Sequence, residues 1–329
     1  SMKCRTHIDI PVNDLLINHK TEILLFGSCF SENIGQKMIM SKFKVDVNPF
    51  GILYNPSSVA ASVSRLIMDK PFNSDELAFR DGLWHSFMHH GSFSDVDKES
   101  CLERINTRYK GAAEKINRAD LLLITFGTAY VYRLQSNEQL VSNCHKFPDC
   151  LFSRSRLFVE EIVSEWTNII EQLLSINPSI KIVLTVSPIR HMKDGAHNNQ
   201  LSKAILHLAI DELVNRFGNI VFYFPSYEIV MDELRDYRFY TADMNHLTDV
   251  AIDYIWERFS KTFFDEKTEQ IIRSWNEIAR ALQHRPIYIS SDQFNQFQIQ
   301  TLNKIEQFRK LYPFINCDQE YNSLVNTIK

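Results

Sequence analysis

The 329-residue chain is long enough for one large α/β domain with an appendage, or for two domains. Its composition, 44% hydrophobic and 23% charged, is that of an ordinary globular protein and excludes intrinsic disorder. The net charge is −4 and the basic residues are scattered, so the chain offers no positive field to nucleic acid or to an anionic membrane, and neither partner is expected.

The apolar segments and the cysteines indicate the cellular compartment of the protein. No apolar run reaches membrane-spanning length, and the N-terminus lacks the residue order of a secretion signal. Ser1 before Met2 resembles a cloning remnant, so a cytoplasmic protein is expected unless a targeting segment was removed. The six cysteines are widely spread and form no Cys-x-x-Cys pair, which favours free thiols over a zinc ribbon or a redox motif.

Short apolar segments predict the strands of the fold. Four of them are apolar on both faces and rich in β-branched residues, and a fifth predicts an edge strand. They are residues 22–26, 121–126, 181–186 and 220–224, with 43–47 at the edge. Strands that are apolar on both faces are typical of a parallel sheet covered by helices on both sides.

Helical periodicity lies between and after these strands. The predicted helices are residues 31–40, 157–174, 199–217 and 250–264. Strands that alternate with helices predict an open, mainly parallel, doubly wound α/β sheet.

The C-terminal segment predicts two more amphipathic helices, over about 266–284 and 291–311, with no strand between them. We therefore expect a main domain over residues 1–265 and a helical extension over 266–329. The aromatic side chains of the extension need a partner surface. That surface could be the main domain or a second copy of the chain, so the oligomeric state stays open and a homodimer through these helices is one alternative.

Ser28 lies where the first strand ends and the first helix begins. Ligands bind at the carboxyl ends of parallel strands, and the free N–H groups of a helix N-terminus can receive negative charge there. Gly27 allows the sharp turn that this position needs. Two interpretations remain at this point: Ser28 is a nucleophile, or it is an ordinary helix N-cap.

Asp243 and His246 favour the nucleophile, because they lie in the loop after the last strand, which opens on the same edge of the sheet. A serine hydroxyl needs a base to take its proton, and histidine suits that role near neutral pH. A carboxylate three residues upstream can hold Nδ1 of the ring and leave Nε2 for Ser28. The predicted catalytic residues are therefore Ser28, His246 and Asp243.

Several motifs in order resemble the GSCFA family. Residues 27–30 read Gly-Ser-Cys-Phe, the name motif, with Ser31 in place of the final alanine. The other matching stretches are 48–56 (NPFGILYNP), 84–87 (WHSF), 143–146 (NCHK), 187–191 (SPIRH) and 232–240 (DELRDYRFY). The family is grouped with the SGNH, or GDSL-like, hydrolases. The resemblance covers about residues 20–265 and implies a three-layer α/β/α, flavodoxin-like fold that performs ester hydrolysis or acyl transfer.

The resemblance also implies an oxyanion hole, which SGNH enzymes build from a serine amide, a glycine amide and an asparagine side chain. Ser28 supplies the first donor and Gly51 is the candidate for the second. The chain departs from the pattern at the third donor, because residues 126–129 read Phe-Gly-Thr-Ala. Asn143 or Thr128 is expected to replace it, since one such donor is worth about 10²–10³ in rate.

Further polar residues cluster in loops at the predicted edge. His85, His145, Arg190 and His191 are candidate substrate-binding residues, with Arg190 placed to pair with a carboxylate or phosphate. The alternative for Arg190 is a loop-stabilising contact with Asp236 or Glu233. His89 and His90 are expected to be solvated.

Three other interpretations compete with a serine mechanism. Cys29 could act as the nucleophile with the same base, although adjacent residues at a turn point in different directions and we expect Cys29 to be buried. Eleven histidines would permit a metal hydrolase, but no ligand spacing for zinc is recognisable, so no metal or cofactor is expected. A nucleotide-binding site is not indicated, because the sequence lacks the glycine-rich motif that such a site needs.

The sequence thus predicts a serine esterase or acyl hydrolase, either a carbohydrate O-acetyl esterase or an acyltransferase. Its expected partner is a small-molecule or carbohydrate acyl ester. The alternative from a different class is a catalytically silent module that binds glycan or peptide on the same fold, which the missing asparagine donor would favour.

Overall fold

The computed structural model describes residues 4–284 and 291–328, which form two compact units. The first unit is built mainly from Glu22–Gly35 and Val45–Glu257. The second unit gathers Val12–Thr21, Gln36–Lys44 and the C-terminal segment from Arg258 onward.

The elements are numbered in chain order. The strands are Glu22–Gly27 (β1), Lys44–Val47 (β2), Leu77–Arg80 (β3), Leu83–Ser86 (β4), Leu121–Phe126 (β5), Tyr130–Leu134 (β6), Leu140–Val141 (β7), Phe152–Arg156 (β8), Lys181–Val186 (β9) and Val221–Tyr223 (β10). The helices are Cys29–Met40 (α1), Pro56–Met68 (α2), Lys98–Ile116 (α3), Val159–Ile176 (α4), Ala196–Arg216 (α5), Ser226–Glu228 (α6), Asp249–Phe263 (α7), Glu266–Gln283 (α8), Ser291–Leu311 (α9) and Asp318–Thr327 (α10).

The central sheet has the strand order β10-β9-β5-β1-β2. The pairs β1–β5, β5–β9 and β9–β10 are parallel. Counted along the chain, the strands of this sheet are ordered 2-1-3-4-5, as in flavodoxin-like folds. The predicted three-layer α/β/α fold with a mainly parallel, doubly wound sheet is therefore confirmed. The order reverses between β1 and β5, which is where such folds bind ligands.

The core of the first unit explains why these strands were recognisable. All six residues of β5 are buried, and one face of the sheet packs against α2, α3, α4 and α5. Trp166 of α4 is fully buried with its ring 5.4 Å from that of Phe126, and its Nε1 donates to the Pro56 carbonyl at 3.1 Å. Each large apolar side chain buried in this way contributes about 1.5–3 kcal/mol.

Two smaller antiparallel sheets were not predicted. β3 and β4 form a hairpin, and β6 lies between β7 and β8 in a three-stranded sheet. Most of β8 (Phe-Ser-Arg-Ser-Arg) is exposed, so it lacks the apolar run that identifies a buried strand. The long helices α2 and α3 were also missed, although Asn55 and Asp97 cap them by accepting the N–H groups of Ser58 and Ser100.

The second unit contains α8, α9 and α10, which share a core of apolar side chains. Helices α8 and α9 match the two C-terminal helices predicted from the sequence, and α10 is an addition. The rings of Trp275 and Phe308 lie 5.3 Å apart in this core. Within the two described stretches of the chain, none of the helices combines the length and the apolar character needed to cross a bilayer.

Candidate active site

Ser28 occupies a tight turn between β1 and α1. Gly27 has φ +143°, and a Cβ at this position would lie 2.4 Å from the Thr125 carbonyl oxygen of the neighbouring strand. Two hydrogen bonds fix the turn: Gly27 N–H donates to Asn48 Oδ1 at 2.9 Å, and Leu53 N–H donates to the Gly27 carbonyl at 2.9 Å. The turn therefore requires glycine immediately before the serine.

The Ser28 hydroxyl does not cap the helix. Its carbonyl accepts the N–H groups of Ser31 and Glu32, at 2.9 and 3.3 Å, and the Ser31 hydroxyl at 2.6 Å. Ser28 is only 3% exposed, yet its Oγ makes no hydrogen bond within the described residues. A buried hydroxyl without a partner is costly, so the N-cap interpretation does not explain this side chain.

Asp243 organises the loop that carries His246. Its Oδ1 accepts the N–H groups of Asn245 and His246 and the Thr241 hydroxyl, at 2.8 to 2.9 Å. Its Oδ2 lies 2.5 Å from Nδ1 of His246. The bonds from the N–H groups of His246 and Asn245 hold the pKa of Asp243 below its usual range. A carboxylate only accepts, so Nδ1 carries the proton and Nε2 is left as the acceptor.

Ser28 and His246 line the same cavity, of about 380 Å³, at the carboxyl edge of the sheet. The ring of His246 is accessible, with 52% of the side chain exposed. The two side chains are not joined by a hydrogen bond in this structure, because Ser28 Oγ has no partner among the described residues. The sequence thus led to one cavity, but the expected Ser28–His246 hydrogen bond is not formed.

The oxyanion candidates differ in their positions. Thr128 lines the cavity, and its Oγ1 lies 3.2 Å from the Ser202 hydroxyl. The Gly51 N–H donates to the Asn48 carbonyl at 2.8 Å, so it is not available to an oxyanion. Asn143 does not line the cavity, and its Oδ1 accepts the His145 N–H at 2.8 Å. Gly51 is therefore not free for this role because its N–H is used within its own loop, and Asn143 is not brought to the site because it does not line the cavity.

The backbone beside Ser28 contributes further polar groups. The Ser28 N–H makes no hydrogen bond to any group in the part of the chain that the structure describes. The N–H groups of Gly127 and Thr128 both donate to the Tyr54 carbonyl at 2.9 Å. The amide of Ser28 thus remains a free donor, whereas those of Gly127 and Thr128 do not.

His191 lies next to Ser28. A Cβ built on Gly127 would lie 3.4 Å from the Ser28 Cβ and 3.5 Å from His191 Nε2. Burial, with a smaller effect of the nearby Lys203 charge, lowers the pKa of His191 to about 4. The ring is therefore neutral near pH 7 and can donate or accept a hydrogen bond in the cavity.

The other predicted substrate-binding residues separate into two groups. Arg190 and His191 line the cavity. His85 and His145 do not: their rings stack on each other with centroids 4.6 Å apart, His85 bonds to Ser94 Oγ at 2.7 Å, and His145 bonds to the Ser86 carbonyl at 2.6 Å. They hold a loop cluster together outside the cavity that contains Ser28, so the structure does not bring them to that site.

Two expectations about burial also fail. His89 is 1% exposed rather than solvated, with its ring among those of Phe50, Phe72 and Phe93. Cys29 is half-buried and lines the cavity beside Ser28 rather than lying beneath the turn.

Lys203 is a functional candidate that the sequence did not reveal. This fully buried side chain extends from α5 and its Nζ donates to the carbonyls of Gly127, Ser187 and Ile189 at 2.7, 2.7 and 2.8 Å. Burial lowers the pKa of Lys203 to about 7, and the three bonds oppose that shift because only the ammonium has three protons to donate. Lys203 ties together the loops that follow β5 and β9.

The antiparallel sheet also supplies cavity residues that were missed. Tyr130 and Tyr132 lie two residues apart on β6, and Arg154 on β8 lies opposite Tyr132. The Arg154 guanidinium lies 4.1 Å from the ring centre of Tyr130 and pairs with Asp194 at 2.6 Å. No sequence signal marks these residues, because their strands are short and mostly polar. In the described ranges, no group of three or more His, Cys, Asp or Glu side chains is arranged to hold a metal ion.

Comparison with known proteins identifies the family. Residues 275–329 match the C-terminal domain of GSCFA domain proteins. Among curated proteins, no relative matches the chain. One similar solved structure is an acetyl xylan esterase (Est2A) from the rumen bacterium Butyrivibrio proteoclasticus, with 11% sequence identity and a TM-score of 0.32. The match covers 77% of this chain and 64% of the esterase chain, which is less than two thirds of the esterase's length. Residues 22–259 match the GSCFA family model, so the chain belongs to the GSCFA family.

Proposed function

We propose that the protein is an SGNH-type serine esterase with Ser28 as nucleophile, His246 as base and Asp243 as the residue that orients the base. The observation that carries this proposal is the unpartnered, buried hydroxyl of Ser28 in the cavity that His246 also lines. A hydroxyl in that setting has no structural use, whereas a nucleophile must be free to reach its substrate.

The proposed reaction proceeds through an acyl-enzyme. Ser28 Oγ attacks the acyl carbonyl carbon and its proton passes to Nε2 of His246. In this proposal the Ser28 N–H and the Thr128 hydroxyl stabilise the oxyanion, and both residues line the cavity. Collapse of the tetrahedral intermediate expels the alcohol, which takes the proton from His246. Water, or a second alcohol in an acyl transfer, then attacks the acyl-enzyme and restores Ser28.

The proposal requires His246 to reach Ser28 when substrate is bound. Catalytic hydrogen bonds are often long in unliganded sites and tighten in the complex. The His246 ring is accessible and is held by Asp243 alone on its Nδ1 side, so Nε2 is free to make that contact.

The proposed substrate is a short acyl ester on a small molecule or a carbohydrate. Tyr130 and Tyr132 line the cavity with Arg154, and aromatic rings beside polar groups are a typical surface for sugar rings. An O-acetyl group would fit the limited volume of the cavity. We also propose that the protein is cytoplasmic and that its main domain ends at residue 265.

A fluorophosphonate probe tests the nucleophile directly. We expect the wild-type protein and Cys29→Ala to be labelled, and Ser28→Ala to remain unlabelled. The same variants should show the same pattern in hydrolysis of 4-nitrophenyl acetate. Labelling that is lost in Cys29→Ala but kept in Ser28→Ala would assign the nucleophile to Cys29, which also lines the cavity.

One observation favours the second candidate function, a catalytically silent glycan- or peptide-binding module. Ser28 and His246 are not hydrogen-bonded, as they would be in a preformed triad. Folded protein that is neither labelled by the probe nor active on acyl esters would support this alternative and contradict the esterase.

A further inference from the structure

The cavity carries more positive than negative charge although the chain as a whole is acidic. Its lining includes the cations Arg154, Arg190 and Lys193. Asp194 is the only carboxylate among the described residues that line it. The net charge of the whole chain is −4, so this local excess is not a consequence of composition.

The single carboxylate is already paired. Arg154 and Asp194 form an ion pair at 2.6 Å, with the Asp194 side chain 3% exposed. Arg154 also lies against the ring of Tyr130. This pair is neutral overall, although Asp194 Oδ2 is buried without a hydrogen bond among the described residues, and it leaves Arg190 and Lys193 without a carboxylate of their own in the cavity.

Arg190 makes no hydrogen bond or ion pair within the described ranges. Its Nε is buried without a hydrogen bond, and it forms no ion pair with Asp236 or with any other carboxylate there, while its charge acts on the nearby Tyr227 and Tyr240. Among the described residues, Lys193 makes one hydrogen bond, with the Tyr132 hydroxyl at 3.4 Å. A buried guanidinium N–H that lacks an acceptor is costly, and an anionic ligand would remove that cost.

Arg190 also lines a second groove, of about 630 Å³, whose other charged residues are Asp232, Arg235 and Asp236. This groove is lined by Tyr227, Tyr237 and Tyr240, and Tyr237 is largely exposed. The same guanidinium thus faces the cavity that holds Ser28 and an adjoining surface of tyrosine rings. A ligand longer than one acyl ester could occupy both and place a negative charge at the junction.

We propose that the substrate carries a carboxylate or phosphate group near its ester, and that Arg190, assisted by Lys193, binds this group. That the bound compound is a substrate rests on the proposed function, whereas the anion site itself does not depend on Ser28. An acidic sugar ester is the class of compound that satisfies both the tyrosine surface and the free cation.

The test measures binding without turnover. Ser28→Ala is titrated with D-glucuronate, D-glucose 6-phosphate and D-glucose at constant ionic strength, and binding is followed by ligand-detected NMR. We expect one or both of the anionic sugars to bind at least about 10-fold more tightly than glucose, because a charge-assisted bond to a guanidinium is worth about 1.5–3 kcal/mol. The comparison of the two acids tells a carboxylate site from a phosphate site.

Variants assign the effect to Arg190. Adding Arg190→Gln to Ser28→Ala should weaken the anionic sugars on the order of 10-fold, whereas Arg190→Lys should keep part of the preference. Arg118→Gln is the matched control, because Arg118 is exposed and does not line the cavity. Equal binding of all three sugars, or equal losses in Arg190→Gln and Arg118→Gln, would overturn the proposal. Anion binding without probe labelling of the wild-type protein would refute only the esterase.

Discussion

Gly27 shows how one backbone position determines where the proposed nucleophile lies. Its φ of +143° and the close Thr125 carbonyl leave no space for a side chain. The same residue bonds through its N–H to Asn48 and through its carbonyl to Leu53. Any side chain here must therefore move the strand end that carries Ser28.

We predict that Gly27→Ala destabilises the protein by about 3 kcal/mol or more and abolishes esterase activity, because backbone strain and a clash with a neighbouring strand add up. Gly111→Ala is the control, since Gly111 lies inside α3 and a Cβ there meets no atom within 4 Å. That variant should be stabilised by up to about 1 kcal/mol. Urea denaturation of both variants checks the prediction, and equal stability of the two would contradict it.

Asp243 belongs to the same scale, since one of its two oxygens holds the loop and the other holds the base. We predict that Asp243→Asn keeps the fold but lowers kcat for 4-nitrophenyl acetate by about 10²–10⁴, because an amide nitrogen at the Oδ2 position would favour the wrong tautomer of His246. Asp249→Asn, an exposed change in α7, should leave kcat unchanged. A similar kcat in both variants would remove Asp243 from the mechanism.

The sequence could bring Ser28 and His246 to one cavity, with Asp243 bonded to His246, because strand ends in a parallel sheet share an edge. It could not show which polar groups their own loops would consume. The Gly51 amide and the Asn143 side chain were both expected as oxyanion donors, but the Gly51 N–H bonds within its own turn and the Asn143 side chain, which accepts the His145 N–H, lies outside the cavity. Hydrogen-bond partners of this kind depend on φ and ψ, which residue types do not specify.

At the scale of elements, α5 shows why Lys203 was overlooked. Apolar residues of the predicted helix 199–217 do not all lie on its buried face, since Leu208 is 58% exposed. The buried residues of the helix instead include Lys203, Leu206 and Ile210. The sequence signal for Lys203 was a lysine among the buried residues of this helix, since lysine is almost never fully buried unless it is paired.

We predict that Lys203→Met destabilises the first unit by roughly 3 kcal/mol, because three buried carbonyls lose their donor at about 1–3 kcal/mol each, while the removed charge no longer has to be desolvated. Esterase activity should fall as the loops after β5 and β9 loosen. Lys110→Met, an exposed change in α3, should stay within about 0.5 kcal/mol of wild type in urea denaturation. If Lys203→Met were as stable as Lys110→Met, the three carbonyls would have found other partners.

The strands that the sequence located best are those of the centre of the sheet, which are buried on both faces. β1, β5 and β9 are continuous apolar runs, and their ends were located within one residue. The three-stranded sheet that supplies Tyr130, Tyr132 and Arg154 was not found, because its strands are short, partly exposed and weakly patterned. Long-range pairing rather than local preference defines such strands.

At the scale of the whole molecule, several histidines are buried in a neutral form. Burial lowers the pKa of His89 to about 3 and, with the Lys203 charge, that of His191 to about 4. Burial also lowers the pKa values of His19 and His145. Between these folded values and the ordinary value near 6.5, the unfolded chain binds protons that the folded protein does not.

We therefore predict that the contribution of these histidines to stability is complete above about pH 6.5 and falls as the pH is lowered. His89 alone, at 1% exposure, should account for about 2 kcal/mol between neutral pH and about pH 5. His89→Asn cannot titrate but can still bond to Ser86, the partner of His89 at 2.6 Å. Urea denaturation at both pH values should show a smaller acid loss in this variant, and an equal loss in the wild type and the variant would contradict the assignment.

The cavity is assembled from segments that leave the ribosome at very different times. Ser28 and Cys29 are made first, the strand with Tyr130 and Tyr132 follows, and Asn245 and His246 come near the end of the first unit. Domains fold as units during synthesis, from the N-terminus onward. A nascent chain would therefore carry its nucleophile without a base until almost the entire first unit has emerged, and a truncated translation product that ends before residue 243 would be inert toward esters even if its sheet had formed.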